Sequence, residues 1–145
     1  MLAVQHIRAA VVAAAVVCGP AGCGPTGPKT YPVRGKVELV GGDVKQLAGA
    51  TVETAMDGDP TVRASGVIGE DGGFALETLH AGVVLKGAQA GTYKARILPG
   101  DDVEDRQARR KQRETLSGKY RQFQTSGLSF QVPADGDVVL KLAPP

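Results

Sequence analysis

An all-β fold, a sandwich of six or seven short antiparallel strands, is predicted by three features of this 145-residue chain. From Tyr31 onward, apolar and polar residues alternate with a period of two, the pattern of strands buried on one face. Asp-Gly and Gly-Gly dipeptides separate the runs and supply residues that tolerate the backbone of tight turns. With 20 Gly, 9 Pro and many Val and Thr, the composition is that of strands and turns.

The runs follow in order. Val33, Gly35, Val37 and Leu39 are expected to face inward, with Arg34, Lys36 and Glu38 in water. Ala50, Val52 and Thr54 alternate with Thr51 and Glu53, and a shorter strand is expected around residues 64–68. Phe74, Leu76 and Thr78 form the next inward set, then Tyr93, Ala95 and Ile97, which Pro99-Gly100 ends because Pro has no N–H for a ladder. Leu128, Phe130 and Val132 lead to the last run, Val138, Leu140 and Leu142. Turns are expected at Gly41-Gly42-Asp43, Asp57-Gly58, Asp71-Gly72-Gly73 and Asp135-Gly136, with Asp71-Gly72 the strongest hairpin signal. Residues 31–145 thus make one domain, large enough to bury a core without disulfides.

Residues 1–22 read as an export signal. Ala9 to Val17 is an unbroken apolar run, much shorter than the roughly 20 residues of a membrane span but in the ~7–15-residue range of a signal peptide. Gly19-Pro20 breaks it, and Ala21-Gly22-Cys23 resembles the cleavage box of bacterial lipoproteins, small residues before the Cys that becomes the acylated N-terminus. Cys18 fits less well, since bulky Val17 precedes it. On this reading Cys23 carries acyl chains such as palmitate, residues 23–30 form a Gly/Pro tether, and the protein stands in the cell envelope on the periplasmic or outer surface side. The alternative is ordinary secretion after Ala13-Ala14-Ala15, which leaves Cys23 a free thiol.

A charged insertion at about 100–118 interrupts the alternation. Residues 101–114 are acidic first and basic after, and Asp102–Arg106 and Asp105–Arg109 stand four apart, which predicts a short solvated helix with ion pairs. Arg106, Arg109, Arg110, Lys111 and Arg113 form a candidate patch for an anionic partner such as an envelope polysaccharide or protein; the plainer reading is a solvated helix face. The net charge of +2 gives no reason to expect nucleic acid.

Gly35-Lys36-Val37, Gly49-Ala50-Thr51-Val52, Asp71-Gly72-Gly73-Phe74-Ala75-Leu76 and Gly91-Thr92-Tyr93-Lys94-Ala95 follow one another in a familiar order. Together they resemble the carboxypeptidase regulatory-like domain, and Tyr120 with Thr125-Ser126-Gly127-Leu128 resembles its version in small bacterial lipoproteins. The resemblance implies a seven-stranded antiparallel β-sandwich, transthyretin-like or Ig-like, with Phe74 and Tyr93 joining the two sheets. It implies no catalysis, because the protease site of carboxypeptidases lies in a separate domain.

The residues themselves offer little chemistry. Beyond the leader stand one histidine, His80, and no cysteine after Cys23, too few soft ligands for a zinc site. No Ser lies in a nucleophile-elbow context, and the acidic pairs near Asp57, Asp71 and Asp101 lack the spacing of a calcium loop. The expectation is a monomeric, non-catalytic, cofactor-free module with a structural or binding role, membrane-attached through its N-terminal lipid. A transthyretin-like small-ligand carrier and a secreted hydrolase are the alternatives.

Overall fold

A computed structural model describes residues 27–100 and 106–145. Nine strands stand among them: β1 (Arg34–Leu39), β2 (Thr51–Met56), β3 (Asp59–Val67), β4 (Gly73–Ala75), β5 (Glu77–His80), β6 (Val83–Lys86), β7 (Gly91–Leu98), β8 (Leu128–Val132) and β9 (Val138–Leu142). One helix, α1 (Arg106–Thr115), lies between β7 and β8. The strands form a three-stranded sheet in the order β4-β1-β9 and a six-stranded antiparallel sheet in the order β6-β5-β3-β2-β7-β8. The chain is therefore mostly β, arranged as a two-sheet sandwich.

The expected inward residues make the core. Val37, Phe74, Leu140 and Leu142 of the small sheet join Val52, Ala64, Tyr93, Ala95 and Ile97 of the large one in a single buried cluster. Phe74 and Tyr93 do stand in opposite sheets, and the Tyr93 ring stacks on that of Phe130, its β8 partner, with centroids 5.7 Å apart. Two inward positions are glycine because a neighbour leaves no room for a side chain, Phe74 of the adjacent strand in one case and the facing sheet in the other. At Gly35 a Cβ would collide with the Phe74 ring, and at Gly66 with the Ala75 carbonyl.

Seven alternating runs have become nine strands for two reasons. The run Phe74–Thr78 leaves one sheet for the other at Leu76: β4 pairs with β1, and β5 pairs with β3 and β6. In addition, Val83–Lys86 adds an edge strand that alternation did not mark. The sandwich is also not wholly antiparallel, since β1 and β9 run parallel from Gly35–Val138 to Leu39–Leu142.

Turn chemistry followed expectation in conformation but not always in topology. Gly41, Gly58, Gly72 and Gly136 all have positive φ. Asp71-Gly72, however, makes no hairpin, because β3 and β4 on its two sides belong to different sheets. Asp71 Oδ1 accepts the N–H of Gly73 and shapes the crossing. The tight hairpin is Asp57-Gly58, between partners Met56 and Asp59. A second one, Ala81-Gly82, joins β5 to β6 with φ of 47° and 79°, the doubly left-handed turn that matches strand twist.

The registers give the sandwich two distinct ends. Thr51 lies opposite Leu98 and Val67, and this end continues through Gly100 toward α1. The other end carries Asp57-Gly58 and Gly91. Because Ser65 pairs with Glu77 and β5 runs antiparallel to β3, it carries the Ala81-Gly82 turn as well.

Candidate functional site

Helix α1 forms from Arg, Gln, Ala, Lys and Glu, all good helix formers, and Arg113 in its last turn favours the negative end of the helix dipole. It is not wholly solvated, as the charge run suggested. Gln112 is 2% exposed. Its Nε2 donates to the Ala48 carbonyl at 2.7 Å, and its Oε1 accepts the Gly100 N–H at 3.0 Å. Thr115 Oγ1 adds a hydrogen bond to Gln46 Oε1 at 2.8 Å, and buried Leu116 follows the helix into the core. A helix attached this way holds its outer side chains at fixed spacing.

The five predicted patch residues all lie on α1. Arg106, Arg109, Arg110 and Arg113, spaced at i, i+3, i+4 and i+7, line one shallow cleft. Lys111 lies apart from them, on the flank shared with Gln107 and Glu114. One ion pair on the helix is Arg110–Glu114, 2.8 Å, and this carboxylate holds the Arg110 proton more firmly than usual. The expected acidic partners Asp102 and Asp105 lie outside the described residues, as do Cys23 and the whole of 1–22. Beyond the helix, Arg121 Nη2 donates to the Arg113 carbonyl at 3.1 Å and brings another guanidinium beside the ridge. Guanidinium groups so placed suit carboxylate, sulfate or phosphate oxygens, which they meet bidentately.

A second cluster, which sequence reasoning did not find, sits on the outer face of the large sheet. Glu53 on β2 lies between Arg63 of β3 and Arg96 of β7, at 3.0 and 2.5 Å. The Phe123 ring covers both guanidiniums, 4.6 Å from Arg96 and 6.0 Å from Arg63. Beside it, β3 and β5 share only the Ser65–Glu77 pair. Where they part, a recess of about 340 Å³ opens, lined among others by Thr61, Arg63, Glu77, His80 and Gln89. Its signal in the sequence is that Glu53, Arg63 and Arg96 are all outward positions, but only the register makes them neighbours.

The other residues weighed for chemistry have turn or edge positions. His80 is exposed at the end of β5. Asp59 Oδ1 accepts from the Thr61 N–H and hydroxyl, while Asp57 pairs with Lys94 at 3.1 Å. Among the described residues no three His, Cys, Asp or Glu stand close enough to hold a metal ion, and no helix is long and apolar enough to cross a membrane. The segment around Tyr120 is tied back to the sandwich by two hydrogen bonds. The Tyr120 hydroxyl accepts the Ala143 N–H at 2.7 Å, and Ser126 Oγ donates to the Ala95 carbonyl at 2.6 Å.

No family model, curated protein or solved structure matches this chain.

Proposed function

We propose that this chain is a lipid-anchored, non-catalytic module of the cell envelope, held at Cys23, that binds an anionic partner through α1. Its sandwich is read as a carboxypeptidase regulatory-like domain of transthyretin-like type, acting as a monomer without cofactor. The observation that carries the binding role is the buried Gln112. It fastens a helix bearing Arg106, Arg109, Arg110 and Arg113 to the sandwich, so that the element presenting these arginines is in place before a partner arrives. A polysaccharide or protein surface rich in carboxylate, sulfate or phosphate is the class of partner that fits.

Two measurements test this reading. Dextran sulfate is expected to bind the full chain with an affinity that falls steeply with added salt, and Arg106→Gln/Arg110→Gln/Arg113→Gln is expected to abolish it. Unchanged binding by that variant would remove α1 as the site. Metabolic labelling with a lipid probe should mark the wild type and not Cys23→Ser; equal labelling of the two would remove the anchor.

A further inference from the structure

The first described residues run along the outer edge of β6. Tyr31 and Ala88 exchange two backbone hydrogen bonds at 2.8 and 3.0 Å, and Thr30 Oγ1 donates to the Lys86 carbonyl at 2.9 Å. At Gly27 the chain lies against the β5–β6 hairpin, where a Cβ would meet Leu85 Cδ1 at 3.0 Å and the His80 ring at 3.7 Å. The chain therefore enters the fold at the Ala81-Gly82 end, the end away from α1. On this hairpin three large apolar side chains face outward: Leu79, 72% exposed, Val84, 59%, and Val83, 50%. Leu79 and Val84 are direct partners across the ladder.

We propose that the β5–β6 hairpin rests on the lipid bilayer, burying Leu79, Val83 and Val84, so that α1 faces away from the membrane. The inference rests on the lipid anchor proposed above. Four residue steps separate Cys23 from Gly27 and span at most about 14 Å when fully extended. An acylated Cys23 thus keeps the hairpin within reach of the headgroup layer, and exposed apolar side chains gain by entering it. The eight residues of β7 set α1 roughly 26 Å further out. At the membrane end Asp57, Asp59, Asp135 and Asp137 balance Lys29, Arg34 and Lys94, with Asp57 paired to Lys94 at 3.1 Å, so no net positive charge draws this end to anionic lipid. The contact is therefore apolar, persists at high salt and forms on zwitterionic lipid, while the arginine ridge meets its partner beyond the membrane.

The chain has no Trp, so single-Trp reporters are clean. Full-length Val84→Trp and Lys111→Trp, purified with their acyl groups, are placed in phosphatidylcholine vesicles containing brominated lipid, with Leu79→Trp as a second hairpin reporter. Both hairpin reporters are expected to blue-shift and to be quenched several-fold more than Lys111→Trp, equally at low and high salt. Acylated protein whose hairpin reporters stay unquenched, or in which Lys111→Trp is quenched as much, overturns the proposal and leaves the anchor standing. A hairpin blue shift without vesicles that grows with protein concentration puts a second copy of the chain on this face and also overturns it. Intact mass on the same samples reads the anchor separately: an unmodified Cys23 overturns both.

Discussion

Gln112 spans the gap between α1 and the start of β2 by donating to Ala48 at 2.7 Å, while the same amide takes up the Gly100 N–H that would otherwise end β7 unpaired. One side chain thus satisfies a partly buried acceptor and a buried donor on two separate segments. Removing it leaves both without a partner.

Gln112→Ala is accordingly expected to lower unfolding stability by about 2 kcal/mol in urea titrations, more than a surface Gln would cost. Gln112→Leu, which restores volume without hydrogen bonds, should recover little of the loss.

Two glycines separate backbone conformation from space. Gly58, at φ 91°, has nothing near a new Cβ, so Gly58→Ala costs only the left-handed conformation, about 1 kcal/mol. Gly66→Ala drives a methyl into the Ala75 carbonyl where the chain changes sheet, and should cost about 3 kcal/mol or prevent folding. Thermal melts of the two variants should differ widely, with Gly58→Ala near wild type.

Ala81 occupies a left-handed conformation that suits Asn. Ala81→Asn is expected to raise stability by about 1 kcal/mol, read as a higher urea midpoint with an unchanged slope.

Glu53 is 17% exposed, and Arg96, at 28%, is better shielded than Arg63, at 52%. A double-mutant cycle on Glu53–Arg96 should give about 1 kcal/mol and one on Glu53–Arg63 a few tenths, with the second fading faster as salt is added.

Burial pushes the Tyr93 hydroxyl above its ordinary value of 10.0, and the hydrogen bond it donates to the Gln89 carbonyl at 3.0 Å requires the protonated form. As pH climbs past about 10 the unfolded chain gives up this proton first, so stability is level below that pH and falls above it. Denaturation midpoints from pH 8 to 11 should show the fall, and Tyr93→Phe should make it shallower.

Much of the core was legible because alternation reports which face of a strand is buried. Val37, Val52, Phe74, Tyr93, Leu128 and Leu140 all went inward as their spacing required. Alternation is blind to the strand's hydrogen-bonding edges, and the misreadings followed from that. The run through Leu76 keeps its period while its ladder passes from β1 to β3, and nothing in Val138–Leu142 announces a parallel partner. Strand β6 escaped because Val83-Val84-Leu85 does not alternate and Ala81 is an unusual residue for its turn. Of the candidate site, the arginines were visible as a charge run. Gln112 was not, because a polar residue amid charges reads as solvated until Ala48 and Gly100 are brought to it. The Glu53 cluster required knowing that β3, β2 and β7 are neighbours.

The parallel pairing of β1 with β9 couples Gly35 to Val138, about a hundred positions along the chain. Such a contact gives the fold a high contact order, so its nucleus must close long loops and folding is expected in the millisecond-to-second range. It also means that a nascent chain still lacking Val138–Leu142 cannot complete the smaller sheet, and β1 waits with one edge open. The larger sheet, complete at Val132, is therefore left with one face uncovered until nearly the whole polypeptide has been made.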